Sequence, residues 1–242
     1  MILLPSHSRS AVLTDSLSFD GVAGIYYLTF DQWNPEWGIL GSASLTIDFY
    51  SVGGVLRFDN DGALPASGNV RFGADANIFS EDLTGDPEEP LTLTARAQSP
   101  LTPVSVQAND GDAEVGGTAN FSSQGSDYAQ VLGGSYYATR SGSITDYILS
   151  LTGYGTYTFV VEASQYVSAS AFGGAQQQID PSSVSGTITV TYNYSGSGPP
   201  PPPPDDPGPS GSAVPEPSTL SILLLSLSLF GYAKKAYLSR LQ

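Results

Sequence analysis

Apolar and polar residues alternate one for one in a series of short runs between Leu17 and Tyr194. That period of two marks a half-buried strand, because successive side chains of a strand point to opposite faces. Ala43, Leu45, Ile47 and Phe49 alternate with Ser44, Thr46 and Asp48, and Leu91, Leu93 and Ala95 with Thr92, Thr94 and Arg96. Tyr157, Phe159 and Val161 oppose Thr156, Thr158 and Val160. Ile188, Val190, Tyr192 and Tyr194 then share one face, with Thr187, Thr189, Thr191 and Asn193 on the other. Weaker runs predict an edge strand around 17–19, short strands at 55–58 and 70–72, and further strands at 119–122, 136–139 and 146–151. Gly53-Gly54, Asp59-Asn60-Asp61-Gly62 and Asn109-Asp110-Gly111-Asp112 read as turns, and 80–90 as an acidic loop. No window of eleven residues before the C-terminal tail carries a helical stripe, and no repeat of fixed period occurs. Short Thr/Val/Tyr-rich strands between Gly, Asp and Pro turns predict an all-β fold, an antiparallel β-sandwich or jelly-roll-like domain.

The pattern stops after Tyr194. Residues 195–213 are Ser, Gly and Pro with six consecutive prolines, Pro199 to Pro204, and an Asp205-Asp206 pair. As polyproline II at about 3.1 Å per residue, the proline run is a stiff spacer of roughly 19 Å. Val214-Pro215-Glu216-Pro217 follows, then an uncharged Leu/Ile-rich run and the basic residues Lys234, Lys235 and Arg240. As a helix, residues 219–233 cover roughly 22 Å, short of a hydrocarbon core of about 30 Å, so a span is completed only if the lysines snorkel. The organisation is therefore an N-terminal segment 1–13, a β domain 14–194, a linker 195–213 and a C-terminal unit 214–242.

Charge gives the orientation. All 23 acidic residues precede the basic tail, and five arginines against them leave the chain through Ala233 at −18. By the positive-inside rule, the C-terminus stays in the cytoplasm and the acidic domain is exported. The same imbalance repels nucleic acid phosphates and argues against a nucleic acid partner.

The order Pro-Glu-Pro, apolar helix, basic cluster at the end of the chain resembles the PEP-CTERM sorting signal of Gram-negative bacteria. The resemblance implies that Pro215, Glu216 and Pro217 mark the processing region for an exosortase, a membrane transpeptidase-like cysteine enzyme. It also implies a transient stay in the inner membrane and delivery to the cell surface or the exopolysaccharide matrix. A plain tail anchor behind a proline-rich linker is the alternative. The β domain has its own likeness. Phe30-Asp31, Gly38-Ile39-Leu40-Gly41 leading into Ser44-Leu45-Thr46-Ile47, and the closing runs 151–157 and 185–192 resemble the choice-of-anchor E domain. That family implies a β fold carried by variable sorting signals, with no enzymatic residues. Met1-Ile2-Leu3-Leu4-Pro5 lacks the basic and apolar regions of a secretory signal, so the expectation is a true start upstream of Met1.

Candidate chemistry is sparse. There is no cysteine, and His7 is the only histidine, which leaves a Ser-His-Asp or Cys-His arrangement nothing to be built from. Paired carboxylates remain, as in glycosidases, with Asp48, Glu114 and Glu162 on or beside predicted strands and Glu81, Asp82, Asp86, Glu88 and Glu89 in a loop. Asp59, Asn60 and Asp61 offer alternating oxygens for calcium, and so does the run from Asn109 to Glu114, although neither completes an EF-hand pattern and β-turns explain both. No other cofactor is expected. Trp33 and Trp37 share one proline-containing loop, where they either stack on sugar rings or cap the open end of the sandwich with one indole inward. The expectation is a non-catalytic exported domain, with a carbohydrate-binding module and then a carboxylate-pair glycosidase as alternatives.

Overall fold

The computed structural model describes residues 9–83, 91–109, 111, 125–170 and 175–196. The described residues are all-β, with twelve strands, every named pair antiparallel. The strands are β1 (Arg9–Val22), β2 (Gly24–Asp31), β3 (Ile39–Val52), β4 (Val55–Asn60), β5 (Ala66–Ser80) and β6 (Leu91–Gln98). Then come β7 (Thr102–Val106), β8 (Tyr128–Leu132), β9 (Ser135–Ser143), β10 (Thr156–Ser170), β11 (Ala175–Asp180) and β12 (Ser183–Gly196). One sheet runs β1-β12-β3-β9 and a second β2-β10-β5-β6, with β7 pairing the first part of β5. A third, smaller sheet runs β11-β4-β8.

The first two sheets enclose the main core. Leu45, Ile47 and Phe49 of β3 and Ile188, Val190 and Tyr192 of β12 face Tyr26, Leu28 and Phe30 of β2 and Tyr157, Phe159 and Val161 of β10. The alternation read from the sequence thus sets the inward face of β3, β10 and β12, and the sandwich expectation holds. A second cluster, centred on Leu56, Phe58, Val70, Phe72 and Val106, lies beneath the small sheet. β5 spans both, with Val70 and Phe72 in the second cluster and Ala74, Ala76 and Ile78 in the first.

A bulge near Gly41, where β12 shifts register between Asn193 and Tyr194, explains why Leu40 and Ala43, three apart, are both buried. The Gly53-Gly54 turn forms as expected, with φ of 75° and 85°, a left-handed conformation that glycine adopts without strain.

Several elements differ from the sequence reading. The predicted edge strand at 17–19 is the middle of the fourteen-residue β1. The strand predicted at 146–151 is a 3-10 turn, Thr145–Tyr147, running into one turn of α-helix, α1 (Ile148–Leu151). Ile144, Ile148 and Leu151 are spaced i, i+4, i+7, and all three pack on the main core. Asp59 and Asn60 are the end of β4, so the turn begins only at Asp61. β2, β7, β8 and β11 were not predicted, and the segment at 119–122 lies outside the described residues.

Candidate functional site

The region expected to carry a sorting signal falls outside the described residues: Val214, Pro215, Glu216, Pro217, the 219–233 run, Lys234, Lys235 and Arg240. Among the described residues, no helix is long and apolar enough to cross a membrane.

β12 lies between β1 and β3 and finishes at Gly196, opposite Arg9 at the start of β1. Packed on that end is the loop carrying both tryptophans. Asn34 caps a 3-10 turn, Pro35–Trp37, by accepting a 2.8 Å hydrogen bond from the Glu36 amide, and Pro35 fixes the first turn residue. The turn folds Trp37 edge-on against Trp33, with ring centroids 5.3 Å apart at 87°. Trp33 is 1% exposed, its centroid lies 4.5 Å from that of Tyr194, and its indole N–H donates to the Gly38 carbonyl at 3.0 Å. Trp33 therefore has no face left for a sugar ring, which corrects its half of the sugar-stacking expectation; only Trp37 stays partly open.

Of the candidate carboxylates among the described residues, Asp48 and Glu162 do not share a face. Asp48 and Glu162 both flank buried neighbours, so each points away from the core, Asp48 on the β3 sheet and Glu162 on the β10 sheet. The two packed sheets, spaced about 10 Å apart, separate them. Asp82 instead accepts from the Thr158 amide at 2.7 Å, a structural use, while Asp86, Glu88, Glu89 and Glu114 lie outside the described residues. Around the proposed calcium ligands, Asp59 and Asn60 are buried at 1% and 0% exposure. The Asn60 amide donates to Leu64 O at 2.9 Å and Gln107 O at 2.5 Å, and its Oδ1 accepts from the Gly62 amide at 3.1 Å. Asp61 accepts from Gln176. Among the described residues, no group of three or more His, Cys, Asp or Glu could hold a metal ion.

Sequence reasoning treated the Ser and Thr positions only as the wet face of isolated strands. Strand register aligns them. Thr14, Thr191, Ser44 and Ser143 are successive cross-strand partners over β1, β12, β3 and β9. The next row is Ser16, Thr189, Thr46 and Ser141, and the third is Ser18, Thr187, Asp48 and Thr139. Three rows across four strands thus present eleven hydroxyl side chains and one carboxylate on the outer face. Neighbours are about 4.5–5.5 Å apart across strands and about 6.5 Å along them. Hydroxyls bond in pairs, Ser16 to Thr189 at 2.9 Å, Ser18 to Thr187 at 2.9 Å and Thr46 to Ser141 at 2.8 Å.

The rows are closed at one end by a shallow cavity of about 380 Å³ lined by Ser42, Ser44, Ser141, Ser143, Thr145 and Asn193. At the other end, Tyr50 and Tyr137 form a cross-strand pair with centroids 4.8 Å apart at 41°, and they are 43% and 52% exposed. The Tyr137 hydroxyl donates to Asp48 Oδ1 at 2.5 Å, and that hydrogen bond raises the phenol's pKa. The signal for this face was in the sequence, but only the register joins four strands into one surface.

Comparison with family models and with curated proteins finds no match. Among solved structures, the chain is similar to a structure of the infectious bursal disease virus Gx strain, at 14% identity, covering 77% of this chain and 38% of that one, with a TM-score of 0.19. A crystal structure of a VP2 subviral particle of the same virus gives 16% identity, 80% and 40% coverage and a TM-score of 0.18. The chain spans 38% and 40% of the length of those two proteins, and TM-scores this low carry no weight for fold or function.

Proposed function

We propose that this chain is an exported, non-catalytic protein of the cell surface or extracellular matrix, sorted through its C-terminus. The observation that carries this reading is the order of parts in the last thirty residues: Pro215-Glu216-Pro217, an uncharged apolar run, then Lys234, Lys235 and Arg240. In this reading, the basic cluster holds the C-terminus in the cytoplasm and the apolar helix arrests the chain in the inner membrane. An exosortase-like membrane enzyme then cuts near Pro215–Pro217. The linker with its six prolines keeps the domain clear of the bilayer and leaves the cutting region accessible.

Two features support a cargo role without catalysis. The chain has no cysteine and one histidine, His7, so nucleophile-base pairs of the common kinds have no members. Asp48 and Glu162 sit on opposite faces of the sandwich, which removes that pair as a glycosidase centre. The test is replacement of Pro215, Glu216 and Pro217 by alanine in the native host. Retention of the uncut variant in the membrane fraction, while the unaltered protein reaches the surface or medium, is the expected result. Equal release of both would refute sorting through this motif.

A further inference from the structure

We propose that the outer face of the β1-β12-β3-β9 sheet is a binding surface for an uncharged, linear polysaccharide chain, with Tyr50 and Tyr137 stacking on its sugar rings. The proposal rests on the matrix reading for where the glycan is met, but the binding chemistry follows from the surface alone.

A sugar ring offers hydroxyls around its edge and an apolar C–H face. The sheet offers the complement of both. Each Ser or Thr hydroxyl carries one donor and two acceptor sites, so the paired hydroxyls of the rows keep capacity free for a ligand's hydroxyls. Tyr50 and Tyr137 supply exposed ring surface where the rows end, and aromatic rings of this kind are apolar bodies with a polar tip. Asp48, held by Tyr137, keeps a second carboxylate oxygen that can accept from a sugar hydroxyl. From Ser42 to Tyr50 the face runs about 26 Å along β3, enough for several rings.

Charge selects the ligand class. In a chain with 23 acidic residues, the three rows and the adjoining tyrosine row carry two carboxylates, Asp48 and Asp20, and no cation, so the face has nothing to attract a polyanion and little to repel a neutral polymer. Shape selects further. Four strands of a sheet accumulate a twist of roughly 60–75°, which a flexible glycan chain follows and a flat crystalline lattice does not.

The test is affinity electrophoresis of the full-length protein in gels containing soluble neutral glucan or, separately, anionic alginate. The expected result is retardation by the neutral glucan and none by alginate. Tyr50→Ala with Tyr137→Ala should weaken retardation about tenfold or more. Thr46→Val with Thr189→Val, which removes two hydroxyls but keeps the branched shape, should weaken it too. Both pairs are read with their melting temperatures, and Tyr50→Phe with Tyr137→Phe, which keeps the rings, should retain most of the binding. Retardation by alginate alone, no retardation by either polymer, or equal retardation of all variants would overturn the proposal. Sedimentation showing that the face instead joins two copies would also overturn it. None of these results bears on cleavage near Pro215, so failure here leaves the sorting reading to its own test.

Discussion

Gly38 lies against Ser195: a Cβ built on Gly38 would fall 2.6 Å from the Ser195 carbonyl oxygen, and its φ of 136° is one that other residues rarely adopt. The loop bearing both tryptophans is thereby pressed onto the last residues of β12. Trp33→Ala should cost about 3–5 kcal/mol, because a fully buried indole and its hydrogen bond to Gly38 are lost together. Gly38→Ala should also destabilise, through strain and the clash with Ser195. Denaturant unfolding of the two variants checks both, and an unchanged midpoint for either would contradict this account of the loop.

Tyr157 and Tyr192 share a hydroxyl-to-hydroxyl hydrogen bond inside the core. Burial raises the pKa of both phenols, that of Tyr157 well above its ordinary value, and nearby Asp15 and Asp31 add to the shift. Below pH about 10 both phenols are protonated whether the chain is folded or not, so they impose no pH dependence. Above that, the unfolded chain releases protons the folded one keeps, and stability falls as pH rises. The expected outcome is a melting temperature that drops steeply above pH about 10. Tyr192→Phe should lose about 1–3 kcal/mol at neutral pH, since it strands the Tyr157 hydroxyl, whereas changing both residues to Phe should cost less. Melting curves against pH, with absorbance of the ionised phenol, decide it.

Asn60 holds together the end of β4, the following turn and the segment after β7. Asn60→Ala should cost about 1–3 kcal/mol, because it removes all three hydrogen bonds of a fully buried side chain. With Asn60 committed to the backbone and Asp61 to Gln176, calcium added after chelation should leave the melting temperature unchanged. A calcium-dependent rise would restore the metal reading for this turn.

The sequence made the core legible where large apolar residues alternate with Ser and Thr, as in β3 and β12. It hid the second half of β5, because Ala74, Asp75, Ala76 and Asn77 have poor strand propensity; they are strand because β10 and β6 flank them and the alanines fill a crowded centre. It hid β7 because Pro103 interrupts the pattern, tolerable where a strand pairs on one side only. The helical spacing of Ile144, Ile148 and Leu151 was too short to rise above a strand reading. For the sites, the last thirty residues lie outside the described residues. Trp33 and Trp37 could not be sorted into inward and outward without the fold, and the hydroxyl rows exist only once the register joins Thr14 to Ser143 across four strands.

The central claim is that the C-terminus is a processed sorting signal, and C-terminal peptide mapping by mass spectrometry tests it most directly. Natural protein from cell-surface and culture fractions is compared with protein from the membrane fraction. The account predicts a mature end near Pro215 to Pro217, with residues 220–242 absent from the released protein. An intact tail through Gln242 on surface protein held in the membrane would contradict it, and would make the chain a permanently anchored domain instead.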